Sequence, residues 1–180
     1  MRIITGKLGG RQFSFSDNSR AHPMSEKARG GLFNALGDIS GLTLFDAFAG
    51  SGAISFEAIS RGVKSVVAVE SDKKAHASIQ SNIKQLLKAN SSSIKAIRAN
   101  VSTWSDNNQD QKFDIVVCDP PYDDIKPDLL SKLANHAIID GIAVFSLPPN
   151  NDFQLPTTNH KLLTTKDYGD ATLVFYRKIA

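Results

Sequence analysis

The segment Cys118-Asp-Pro-Pro-Tyr122 carries the most specific chemistry in this chain. Its two prolines fix the backbone and remove two N–H donors, leaving carbonyl acceptors in a rigid turn. Asp119 adds a carboxylate and Tyr122 a ring with a π-face. A planar nucleobase amine can donate to Asp119 and to the Pro120 carbonyl while its ring stacks on Tyr122. To reach such a turn the base must leave its own stack. The candidate catalytic set is therefore Asp119, Pro120, Pro121 and Tyr122. The plain alternative is a proline-rich turn with an aromatic lid.

A second constellation is Asp46-Ala-Phe48-Ala49-Gly50-Ser51-Gly52. It follows an apolar run and precedes a helical pattern. Glycines there let the backbone approach a ligand, and Asp46 sets a carboxylate at a strand's C-terminal end, the edge where open α/β sheets bind ligands. A dinucleotide fingerprint needs a third glycine three residues after Gly52; Ser55 stands there, which disfavours NAD. Glu70 closes the next strand, followed by Ser71, and an acid at that point can accept both hydroxyls of a ribose. Asn100, followed by Val101, ends the third strand, where a base edge can be read. Phe48, Ala49, Gly50, Ser51, Gly52, Asp46, Glu70, Ser71, Asn100 and Val101 form the candidate cofactor-binding set.

The surrounding periodicity says what must hold these groups. Residues 42–48, 65–69, 94–99, 113–118 and 142–147 read as strands. Helical spacing appears over Ala53–Arg61, after Ser71 (Ile79, Ile83, Leu86, Leu87) and after Pro127 (Leu129, Leu130, Leu133). Asp140-Gly141 reads as a turn, and residues 161–165 and 171–176 as a terminal strand pair. The alternation implies a Rossmann-like α/β fold: a mostly parallel, doubly wound sheet with an antiparallel last strand. Ahead of it, Ile3-Ile4 and Phe13–Phe15 look like a short hairpin, followed by a helix carrying Ala28, Leu32 and Leu36. Gly30 and Gly31 weaken that helix by roughly 1 kcal/mol each.

Composition narrows the class. The chain has 180 residues, 41% hydrophobic and 22% charged, with one cysteine. That is an ordinary globular balance with no internal disulfide. No apolar run approaches the ~20 residues needed to span a bilayer, and Ile3-Ile4 is too short for a signal peptide, so a cytoplasmic location is expected. The four histidines show no ligand spacing, so no metal is expected. Cys118 reads as a small core residue. The net charge of +3 is uneven: residues 1–40 hold six bases and three acids, and the other 140 hold fifteen of each. A localised excess of this kind favours a polyanion. Residues 1–40 are thus read as a basic docking extension, with Lys7, Arg11, Arg20, His22, Lys27 and Arg29 as candidate RNA contacts, and 41–180 as the chemistry-bearing domain. A solvated basic face is the alternative.

Taken together these residues resemble class I S-adenosylmethionine-dependent methyltransferases, with Asp46–Gly52 as the glycine loop, Glu70 as the ribose acid and Asp119–Tyr122 as the [DN]PP[YF] motif of amino-group enzymes. RIITGKLGGR, HPMSEKARGGLFNAL and YGDATLVFY extend the resemblance to the RsmD family of 16S rRNA guanine-N2 methyltransferases, whose fold is a seven-stranded sheet. The family usually has Arg-Pro-Thr in place of His22-Pro23-Met24, and no Gly-Gly in the following helix. The resemblance implies S-adenosylmethionine as cofactor, an assembled small ribosomal subunit as partner and methyl transfer to an exocyclic guanine amine. A monomer is expected. Another rRNA or DNA amino-methyltransferase, or an inert RNA-binding assembly factor, are the alternatives.

Overall fold

A computed structural model of the chain describes residues 1–15, 23–88 and 93–180. The elements run α1 (Glu26–Leu36), β1 (Thr43–Asp46), α2 (Ala53–Ser60), β2 (Ser65–Glu70), α3 (Lys73–Leu87), β3 (Ile94–Arg98), α4 (Val101–Asn107), β4 (Phe113–Cys118), α5 (Pro127–Ala134), β5 (Ala137–Leu147), β6 (His160–Asp167) and β7 (Thr172–Lys178). The seven strands form one sheet ordered β3-β2-β1-β4-β5-β7-β6. β1 to β5 pair in parallel, and β7 lies antiparallel between β5 and β6. The chain reverses direction across the sheet between β1 and β4, the switch point where such sheets open a crevice at their C-terminal edge.

Helices cover both faces, so the central strands are mostly apolar; five of the six β4 residues, Phe113–Cys118, are buried. One core layer joins Leu32 and Phe33 of α1, Phe56 of α2 and Ile79 of α3 with Ile3 and Phe13. The other packs Phe45 and Phe145 against Trp104 of α4 and Leu130 and Leu133 of α5. His136 is a satisfied member of that second layer: its Nε2 pairs with Ser105 Oγ and its Nδ1 with the Gln111 carbonyl, both at 2.8 Å.

Two local expectations are corrected. Asp140-Gly141 is no turn between elements but an irregularity inside β5. Asp140 has φ 65° and the β4 pairing shifts register between Phe113 and Ile115. The strand-like N-terminus contributes a single antiparallel bridge, Arg2 to Gln12. The helix that the alternation required before β4 is α4; it has little periodicity and is started by Asn100, whose Oδ1 accepts from Ser102 and Thr103 N–H at 2.9 and 3.2 Å.

The N-terminal segment is pinned to α2. The Glu57 carboxylate, fully buried, accepts the Ile4 and Thr5 amides at 2.7 and 3.1 Å and the Arg61 Nε at 2.8 Å. Arg29 belongs to this knot, which overturns its assignment as a phosphate contact. Its side chain is 1% exposed, donates to the Arg2 carbonyl at 2.7 Å and lies 4.0 Å from Glu57. Gly31 also has a packing reason. A Cβ on Gly31 would sit 1.9 Å from the Tyr168 hydroxyl, so α1 lacks a side chain where the β6–β7 turn lies against it.

Candidate active site

Strand register gathers the site. Asp46 pairs with Ala68 of β2 and Val117 of β4, so Asp46, Glu70 and Asp119 end at one edge of the sheet. A cavity of about 1390 Å³ opens there. One end is lined by Phe48, Ala49, Gly50, Ser51, Glu70, Ser71, Asn100 and Val101, the other by Asp119, Pro120, Pro121 and Tyr122. The two constellations read from the sequence therefore share one space.

The glycine loop turns sharply. Gly50 has φ 52°, and only the Phe48 carbonyl, at 3.9 Å, comes near the place of a missing Cβ. That is a cradle a ligand can enter. Gly52 is different, and its expected ligand role is corrected. It is absent from the cavity wall, and a Cβ there would meet Phe56 at 2.9 Å and Ile79 at 3.2 Å, so it is glycine for close packing of α2 on α3. Glu70 braces the loop from below: its two carboxylate oxygens accept the Gly50 amide at 2.8 Å and the Asp72 amide at 2.7 Å. Each oxygen keeps a lone pair for a ligand. Asn100, with its carbonyl committed to the α4 cap, offers only its NH₂ to the cavity.

Asp46 also departs from expectation. It is 1% exposed and lies beneath the loop rather than on the cavity wall. Its Oδ2 accepts the Ser55 hydroxyl at 2.6 Å while Oδ1 has no partner among the described residues. Burial, opposed by the Ser55 bond and reinforced by the charges of Asp119 and Glu70, pushes its carboxyl up to about 7. Ser55, noted in the sequence only as a missing glycine, is thus the group that holds this carboxyl.

At the far end, burial raises the Asp119 carboxyl to about 6, opposed by a hydrogen bond from Ser146. Pro121 gives its carbonyl to the Asp124 amide at 3.1 Å, whereas Pro120 is buried with its carbonyl taken by no amide among the described residues. Tyr122 is 39% exposed, which leaves its ring face open, and its hydroxyl lies 2.9 Å from Ser146 Oγ. Burial raises the Cys118 thiol well above its ordinary range, so it is no nucleophile.

The sequence reading missed several wall residues. Phe15, Pro23, Met24 and Ser25 from the N-terminal segment, and Asp170 and Ala171 from the β6–β7 turn, also line the cavity. Ser146 was missed as well, although a polar residue closing the strand beside β4 is a readable signal. Among the RNA candidates, Lys7, Arg11 and Lys27 are exposed. Arg20 and His22 lie outside the described residues.

The cavity suits S-adenosylmethionine. The open place beside Gly50 admits a ligand against the backbone, and Glu70 offers acceptors to a ribose.

Comparison with known proteins agrees with this geometry. The family described as Conserved hypothetical protein 95 matches residues 1–177. The ribosomal RNA small subunit methyltransferase D of Haemophilus influenzae is 31% identical over 98% of this chain and 92% of that protein. The protein of the same name from Buchnera aphidicola is 36% identical over 121 residues, 67% of this chain and 62% of its own length. A solved Escherichia coli structure, yhhF, superposes with a TM-score of 0.86 at 24% identity, covering 100% of this chain and 98% of that one.

Proposed function

Since the chain belongs to the RsmD family of S-adenosylmethionine-dependent methyltransferases, we propose that it methylates the exocyclic N2 amine of a guanine in 16S rRNA of the small ribosomal subunit. One observation carries the reading: a loop fit for a ribose and an Asp-Pro-Pro-Tyr turn fit for a base amine line the same cavity. When bound, the cofactor supplies an electrophilic methyl on a sulfonium. The chain's own residues supply orientation. Asp119 and the Pro120 carbonyl accept hydrogen bonds from the two amine hydrogens, which turns the nitrogen lone pair out of conjugation with the ring. Tyr122 stacks on the extruded base. Ser51 and Glu70 hold the opposite end, so the reacting atoms meet in line, and positioning with fixed dipoles supplies much of the rate. Asp119, half-buried with its carboxyl raised to about 6, is mostly ionised at neutral pH.

Lys7, Arg11 and Lys27 dock the phosphate backbone in this reading. All of the chain's excess positive charge lies in residues 1–40, and residues of that segment also wall the cavity. The test is mass spectrometry of 16S rRNA from cells lacking this protein, with purified small subunits remethylated in vitro. One guanosine losing its N2 methyl and regaining it supports the reading. An unchanged methylation pattern refutes it.

A further inference from the structure

Ser146 is the one polar residue in the run Ile142-Ala-Val-Phe-Ser-Leu147, and it is 1% exposed. A hydroxyl buried among apolar side chains is unfavourable unless bonded. Its oxygen lies 2.9 Å from the Tyr122 hydroxyl, and its hydroxyl favours the ionised form of the Asp119 carboxyl. Cys118 pairs with Phe145 in the β4–β5 register, so Ser146 stands one residue further, beside Asp119. Alanine would fill this place without a polar group to satisfy, so the hydroxyl has a use that packing does not explain.

We propose that Ser146 is a positioning residue for methyl transfer, its hydroxyl bridging the Asp119 carboxylate and the Tyr122 phenol so that the acceptor for the amine and the platform for the base keep a fixed separation. The proposal rests on the rRNA reading above. The bridge orders its donors in one direction, Tyr122 to Ser146 to Asp119, because an ionised carboxylate only accepts. It therefore also favours the ionised form that receives the amine. The other titratable groups nearest Asp119 are Asp46 at the end of β1 and the Cys118 thiol beside it. On the same cavity wall stand Glu70, Asp123, Asp124, Asp170 and one cation, Lys126, which is paired with Asp124 at 3.0 Å.

The experiment compares wild type, Ser146→Ala and Ser146→Thr in single-turnover methylation of small subunits from pH 5 to 9, with binding of S-adenosylhomocysteine as control. Ser146→Ala is expected to move the acid limb of the rate profile up by about one pH unit, since a hydrogen bond to a charged group is lost. That lowers the rate about tenfold on the acid side of the limb, while cofactor-product affinity stays within about twofold. Ser146→Thr, which keeps the hydroxyl, restores the limb. Asp46→Asn removes the second titrating carboxyl, and the Ser146→Ala shift persists in that background. Should threonine prevent folding, Tyr122→Phe cuts the bridge from the other side: the rate falls several-fold and the limb stays. A wild-type profile for Ser146→Ala overturns the proposal. The Asp119 carboxyl is also titrated by carbon NMR in both proteins without RNA. If wild type methylates no guanosine, the rRNA reading fails and this titration decides alone: an upward move in Ser146→Ala supports the bridge, an unmoved one overturns it.

Discussion

Glu70→Ala separates a ligand acid from a merely helix-starting one. In the structure this carboxylate holds two backbone amides, those of Gly50 and Asp72, and borders the cavity with a free lone pair on each oxygen. Alanine removes all of these at once. The Gly50 and Asp72 amides lie at a half-open rim and regain water, so their loss loosens the loop at a cost of about 1 kcal/mol each. A ribose hydroxyl donating to an ionised carboxylate contributes about 1.5–3 kcal/mol. The expected weakening of S-adenosylmethionine binding is therefore roughly tenfold to a few hundredfold. Isothermal calorimetry on the intact chain measures it, with a thermal melt to register the loop separately. Glu70→Gln should fall between, since its amide keeps one acceptor but turns an NH₂ towards a backbone donor. If Glu70→Ala binds the cofactor as tightly as wild type while the melt falls, the residue is a loop brace only and the ribose assignment is wrong.

Other outcomes follow from the same geometry. Asp119→Ala should abolish most methyl transfer with cofactor affinity nearly unchanged, because its carboxylate faces the amine end; a parallel loss of cofactor binding in calorimetry contradicts this. Asp46 and Asp119 have carboxyls raised to about 7 and about 6 in the folded chain. The native state thus binds more protons than the unfolded one between about pH 4 and 7, and stability should fall as pH rises through that window. Asp46→Asn should flatten the fall in denaturant titrations, and an unchanged slope removes Asp46 as its source. Arg29→Ala should lower stability by about 1.5–3 kcal/mol through loss of its charged hydrogen bond to the Arg2 carbonyl, since Glu57 keeps Arg61 and two amides, and should leave the salt dependence of RNA binding untouched; a changed salt slope restores it as a phosphate contact. Charge reversal at Lys7 and Arg11 should raise the KM for small subunits and flatten log affinity against log salt in filter binding, with cofactor affinity constant. A slope equal to wild type refutes that docking face.

Much of this was legible because parallel strands advertise themselves. Phe113–Cys118 is apolar at every position but Asp114, and the residues that follow such strands lie at the ligand edge by topology alone. That placed Asp119, Glu70 and Gly50 without a structure. What escaped depends on partners distant in sequence. Arg29 looks like any basic helix residue until Glu57 is brought beneath it, and Gly31 looks like a weak point until Tyr168 arrives. Gly50 and Gly52 are the same letter two residues apart, yet one borders open space and the other packs on Phe56 and Ile79. The α4 helix has too few turns to show a period, and its start is written in the Asn100 cap instead. Ser146 needed only the rule that a polar residue at the end of a strand flanking the switch point is suspect.

The Glu57 knot has a consequence for how the chain folds. The amides of Ile4, Thr5 and Leu8 find their partners 52 or 53 positions later, and Ser14 finds Asn82 at a separation of 68. Contacts so distant along the chain are slow to form because the intervening loop must close first. Docking of residues 4–14 onto α2 and α3 should therefore follow the packing of those two helices on the sheet.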